Sequence, residues 1–76
     1  TVVDVKKIFR SVVSNPLVAA IILGHNHPSD NPRPSKADIE ITKKIKSAGK
    51  NLDIAVLDHI IVTSMSYTSL ADEGLM

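Results

Sequence analysis

At 76 residues the chain has the size of one small domain, near the lower limit at which a hydrophobic core sustains a fold without staples. It contains no cysteine, which excludes disulfides, thiolate metal sites and cysteine nucleophiles, so any metal must be held by imidazole and oxygen ligands. Nine basic and eight acidic residues leave a formal net charge of +1, too small to dictate a nucleic acid or an anionic membrane as partner. The aromatics are Phe9 and Tyr67 alone, too few for a base-stacking platform. No apolar run approaches the roughly 18 residues of a membrane span, and the start lacks a charged region followed by an apolar one. A soluble, cytoplasmic piece is expected.

The opening "DVKKIFRSVVSNP" places Val5, Ile8, Phe9, Val12 and Val13 at offsets of three and four, the stripe of an amphipathic helix. Asp4 is its expected N-cap and Pro16 its stop. "LVAAIILG", residues 17–24, is a continuous apolar run too short for a typical helix and predicts a central strand buried on both faces. From Ser35 the pattern is helical again, with Ala37, Ile41, Ile45 and Ala48 on one stripe and Gly49 as C-cap. "LDIAVLDHIIVTS" supplies one strand around Ile54–Leu57 and another around His59–Thr63, or one longer bent strand. The terminal "YTSLADEGLM" fits a short helix or turn. With no repeat, low-complexity tract or linker, this order describes a single α/β layer architecture.

The chemistry-bearing residues gather in "GHNHPSDNPRPSKAD", between the first strand and the second helix. His25 and His27 are one residue apart, so in extended backbone both point to the same side, and Pro28 favours that backbone at His27. They form two legs of a metal site. Asp38, in the first helical turn where the dipole favours the ionised form, suits the third. Ser35 would bring its hydroxyl into the same neighbourhood, to bond an attacking water or a developing oxyanion.

Each residue also has a plainer reading. Ser35 and Asp38 form S-x-x-D, close to a capping box, and two loop histidines fit ordinary solvated residues. Context tips the balance: the pair follows an apolar strand, the carboxylate opens the next helix, and ligand sites of α/β folds lie beyond the carboxyl ends of strands.

His25-x-His27, seven residues, Ser35, two residues, Asp38 resembles the H-x-H-x7-S-x2-D signature of the JAMM (MPN-plus) metalloproteases. The surrounding "HNHPSD", "AGK", "LDHII" and closing "DEGL" resemble the C-terminal part of the RadC-like branch, over essentially the whole chain. The resemblance implies an α/β/α sandwich of the cytidine-deaminase-like type lacking its N-terminal strands, a zinc site made by His25, His27 and Asp38, assistance to the tetrahedral intermediate by Ser35, and a peptide or isopeptide substrate.

Two departures qualify it. Asp30 stands where the family has glycine. The family's general-base glutamate, from a strand upstream of the first helix, has no counterpart: Glu40 lies two positions after Asp38, a separation that does not share a helix face, and Glu73 lies far downstream. The expectation is a chain that begins after that glutamate, binds zinc and hydrolyses little. Missing strands would also leave an open sheet edge inviting homodimerisation.

Two rival readings belong to other classes. Arg33, Lys36, Lys43, Lys44, Lys46 and Lys50 cluster around the second helix, which together with the DNA-repair label of RadC-like proteins suggests DNA association. A non-catalytic scaffold is the other. A His-His-carboxylate set also fits non-haem iron, although the Ser35 spacing and the resemblance favour zinc. His59, beside Asp58, reads as a half-buried structural histidine paired with a neighbour, although it could approach the site. Ser29 and Asp30 line the loop and have two readings, turn formers or substrate contacts.

Overall fold

A computed structural model describes residues 5–15, 17–27 and 30–76. The elements run α1 (Val5–Val13), β1 (Ala20–Asn26), α2 (Lys36–Asn51), β2 (Ala55–Val62) and β3 (Tyr67–Ser69). The chain is thus a small α/β unit, its three strands ordered β1-β2-β3. β1 and β2 are parallel, joined by α2 as the crossover that parallel pairing demands, whereas β3 returns antiparallel to β2. Phe9, Ile45, Ile54 and Val56 form one buried core cluster, flanked by Ile21, Leu23, Val5, Ile8 and Val12, and Ile61 and Leu70 are buried as well. Both helices therefore pack on one face of the sheet.

That arrangement corrects the expected central strand. β1 starts at Ala20 rather than residue 17 and continues past Gly24 to Asn26, because β2 offers pairing partners as far as Val62. Among the described residues it is an edge strand with alternating exposure: Ile21, Leu23, His25 and His27 turn toward the helices, while Ile22 on the other side is 60% exposed. Nothing among the described residues covers that second face. In α1, Phe9 is buried as expected, but Val13 is exposed. Asp4 and Pro16 lie outside the described residues, as does Ser29.

β2 is one strand, not two, and it is irregular. Ile21 pairs with Val56 but Ile22 with Asp58, so Leu57 is the extra residue of a bulge. Alternation would put Val56 and His59 on opposite faces. The bulge shifts the parity by one, and Val56, His59, Ile61 and Thr63 are all buried on the helix side. Asp58 fastens this distortion: its carboxylate accepts from the His59 N–H (2.7 Å), the Ser69 hydroxyl (2.5 Å) and the Ala71 N–H (3.1 Å). The C-terminal stretch read as helix or turn contributes β3 first, and the turn follows from Leu70 to Gly74.

Gly49 is not the C-cap. Leu52 caps α2, its N–H donating to the Gly49 carbonyl and the Asp53 N–H to the Lys50 carbonyl, and the left-handed residue is Asp53 at φ 58°. Gly49 is instead buried within the helix, where α2 crosses β2. A Cβ there would lie 2.6 Å from the Ile54 carbonyl oxygen and 3.1 Å from Val56 Cγ2. The buried face of α2 is Asp38, Thr42, Ile45 and Gly49. Ala37, assigned to the stripe by its spacing, is exposed.

Two outcomes test this packing. Gly49→Ala gains about 1 kcal/mol of helix propensity but forces a backbone shift of the overpacking kind, costing about 1–3 kcal/mol, so urea denaturation is expected to show net destabilisation. The three hydrogen bonds to Asp58 outweigh the opposing effect of burial and hold its carboxyl below the ordinary carboxylate range. Such a depressed group stabilises the fold above the unfolded-state value and loses that contribution as pH falls through the folded one. Asp58→Asn is expected to cost about 1–2 kcal/mol at pH 7, after allowance for solvent screening, and the gap from the native chain should close below about pH 4, read from denaturation midpoints across pH.

Candidate metal centre

The site assembles where β1 ends and α2 begins. Because β1 extends beyond Gly24, His25 stands in the strand and His27 immediately after it, the His27 N–H still donating to the Val62 carbonyl at 3.0 Å. Strand alternation directs both imidazoles toward α2. The rings meet edge to face, with centroids 4.7 Å apart.

Asp38 comes from the first turn of α2, and Ser35 fixes it there. The Ser35 hydroxyl accepts from the Asp38 N–H at 3.0 Å, and the Ser35 N–H donates to Asp38 Oδ2 at 2.8 Å, a complete capping box. The plainer reading of S-x-x-D is therefore realised, and the same contact aims the carboxylate at the histidines. Asp38 Oδ1 lies 3.3 Å from His25 Nδ1, and Oδ2 lies 3.0 Å from His27 Nε2. Burial opposes ionisation of Asp38, yet the contacts with the Ser35 backbone and hydroxyl and the fields of His25 and His27 prevail, so its carboxyl titrates below its ordinary value. The carboxylate is thus anionic at neutral pH.

Proton bookkeeping at His27 shows what this arrangement lacks. Its Nδ1 is 3.2 Å from the Asn31 carbonyl oxygen, which can only accept, so Nδ1 carries a proton. Its Nε2 faces a carboxylate, which also only accepts. A neutral imidazole has one N–H, so the second contact needs another positive centre, either a second proton or a cation. At His25 the deficit is plainer: Nδ1 is buried beside Asp38 with no hydrogen-bond partner among the described residues. Ligand atoms of His25, His27 and Asp38 all lie within 4.8 Å of one another. Two nitrogen lone pairs and an anionic oxygen converging in this way fit a divalent cation, and the Asn31 carbonyl supplies the outer hydrogen bond that orients a ligating histidine.

The other singled-out residues fall as follows. Ser35 caps α2; as its oxygen accepts from a backbone N–H, its own O–H stays a donor at the edge of the cluster. Asp30 is exposed and accepts from the Ser64 hydroxyl, tying the loop to the β2–β3 turn. Glu40 is exposed on α2. Glu73 lines a cleft of about 560 Å³ with Arg33, Pro34 and Thr68 and does not join the three ligands. His59 is fully rather than half buried, at 3% exposure. Its side-chain partner is Thr42, at 2.5 Å from Nδ1, while Asp58 binds its backbone N–H. It also reaches the site, its ring stacked on that of His25 with centroids 5.7 Å apart. Burial, then the field of His25, pushes His59 below the usual histidine value. Thr42 escaped sequence reasoning because a polar residue breaks an apolar stripe; its signal is position, one helical turn after Asp38 on the same face.

The chain matches the family model described as a RadC-like JAB domain over residues 1–75. It is 49% identical to the UPF0758 protein of Flavobacterium johnsoniae over 75 residues, which are 99% of this chain and 32% of that protein. It is 45% identical to the UPF0758 protein of Geotalea uraniireducens over 76 residues, 100% of this chain and 33% of that one. The counterpart in Chloroflexus aurantiacus is 49% identical over 73 residues, 96% and 31% of the two chains. The chain thus spans about a third of the length of the curated relatives it matches. With the family match covering nearly every residue and the H-x-H, Ser and Asp positions folded into one cluster, the chain belongs to the RadC-like JAB domain family.

Proposed function

We propose that this chain carries the metal centre of a zinc-dependent hydrolase of the JAMM type, acting on a peptide or isopeptide bond in a protein substrate. The observation that carries the reading is the proton deficit of the cluster: a buried His25 Nδ1 that makes no hydrogen bond among the described residues and faces Asp38 Oδ1 at 3.3 Å, beside a His27 whose Nδ1 proton is already committed to Asn31. His25, His27 and Asp38 would hold the ion. Zinc in such a ligand set supplies Lewis-acid polarisation of an amide carbonyl and a water of lowered pKa.

The chain's own groups divide the remaining work. Asp38 contributes the negative charge of the ligand set, held in place by the Ser35 N–H. The Asn31 carbonyl holds the His27 proton on Nδ1. Ser35 offers its O–H to the oxyanion that develops on the substrate carbonyl. Proton transfer requires a general base, and neither Glu40 nor Glu73 stands in the cluster; hydrolysis is accordingly a property of the longer protein, and metal binding a property of this chain. In the same reading the complete domain is an α/β/α sandwich, supported by the uncovered sheet face on which Ile22, Leu57 and Val62 stand exposed.

Elemental analysis tests the centre: close to one zinc per chain is expected, with loss in His27→Ala, and a metal-free native chain after zinc loading sinks the proposal. Ser35 separates capping from chemistry. Asn is as good an N-cap as Ser, so Ser35→Asn in the full-length protein is expected to keep the unfolding midpoint while lowering kcat about 10²–10³-fold; full activity would leave Ser35 as a cap alone.

A further inference from the structure

Three features around the site are unused by the reading above: a bulge in β2, a buried histidine and a buried threonine. Thr42 and His59 are among the most enclosed polar residues described, at 0% and 3% exposure. Thr42 Oγ1 is 2.6 Å from the Asp38 carbonyl oxygen and 2.5 Å from His59 Nδ1. The carbonyl only accepts, so the single hydroxyl proton of Thr42 is directed to it, and the proton shared with His59 must come from the ring. This fixes His59 as the Nδ1–H tautomer, donating to Thr42, which donates to Asp38. The other side of His59 meets β1, where its ring stacks on His25 at an interplanar angle of 27°.

We propose that His59 and Thr42 are a positioning pair for the metal centre, a brace that ties the ligand-bearing strand to the ligand-bearing helix; the inference rests on the metal reading above. Two of the three ligands are gripped, each from outside the centre. His25 has its ring plane set by the stack, and Asp38 has its backbone held at the carbonyl. His59 can serve both only because the Leu57 bulge turns it to the helix side. Without the extra residue, His59 would face away from His25 and a neighbour would occupy its place. Asp58, adjacent in sequence, pins that bulge through three hydrogen bonds. Bulges beside active sites commonly re-aim one side chain, and here the re-aimed side chain lies against a ligand.

A buried polar pair that served stability alone would not affect the metal. The test compares the native chain with Thr42→Val, Thr42→Ser and His59→Phe. Zinc affinity is read by competition with a chromophoric chelator, coordination by the visible spectrum of the cobalt(II) form, and stability by thermal unfolding of the metal-free protein. Thr42→Val removes the hydroxyl at nearly constant shape, Thr42→Ser restores it, and His59→Phe keeps a ring against His25 without the N–H. The brace predicts zinc binding about 10–100-fold weaker in Thr42→Val and His59→Phe, the usual cost of losing an outer-shell partner, with altered cobalt spectra and near-native values in Thr42→Ser. It also predicts the His59 Nδ1–H tautomer by nitrogen NMR of the metal-free native chain. Native zinc affinity and spectra in Thr42→Val and His59→Phe, or the Nε2–H tautomer, overturn the brace and leave the metal reading standing. A native chain that binds neither zinc nor cobalt overturns both. Unfolding midpoints lowered in all three variants with unchanged cobalt spectra assign the pair to stability and overturn the brace.

Discussion

Asp38 accepts the Ser35 N–H at 2.8 Å while its two oxygens face His25 and His27 at 3.3 and 3.0 Å, so one carboxylate both starts a helix and closes the proposed ligand set. The helix could not begin one residue earlier or later without rotating Asp38 off that face, because each residue turns the direction of a side chain by about 100°. The Ser35 cap therefore fixes more than the free N–H groups of a helix end. It sets the phase of α2, and with it Asp38, Thr42, Ile45 and Gly49 as the face presented to the sheet. Gly49, at the other end of that face, leaves room for the Ile54 carbonyl and Val56, which a Cβ there would crowd.

The polar groups of the site are graded by burial. His59 and Thr42 lie deepest, Asp38 is next, and His25 and His27 retain some access to solvent. Unpaired polar groups are costly in the interior, and the chain meets this by chaining its deepest ones, His59 to Thr42 to the Asp38 carbonyl. His25 Nδ1, which makes no hydrogen bond among the described residues, lies beside Asp38 at the outer end of this chain of contacts. A core this small has little apolar surface with which to offset such a defect, which supports the metal role proposed for the cluster.

Much of this was legible in the chain itself, and the reason is locality. His25, His27, Ser35 and Asp38 lie within 14 consecutive positions, so strand alternation and the capping pattern suffice to bring them together. The helices follow from their apolar spacing for the same reason. What escaped depends on contacts distant in sequence. The extension of β1 through Asn26 is set by the length of β2; its edge position and half-exposure are set by which elements cover the sheet. Gly49 resembles a C-cap until Ile54 and Val56 are placed against it. The Leu57 bulge is a pairing event with no composition of its own, so the depth of His59 and its closeness to His25 could not be read from alternation. Thr42 had a positional cue, but hydrophobicity alone passed it over.

The closeness of the three ligands in sequence has a consequence for the order in which the molecule is made. Bringing residue 38 back to residue 25 closes a loop of little more than a dozen positions, an event of the ten-to-hundred-nanosecond class, whereas pairing β1 with β2 must wait for the whole crossover through α2 to be synthesised and folded. On a growing chain His25, His27 and Asp38 can gather as soon as the first turn of α2 has formed, before β2 exists. In the metal reading proposed above, an ion captured at that moment would favour the bent path from β1 into α2 and so reduce the search left to the sheet, giving the proposed cation a part in folding as well.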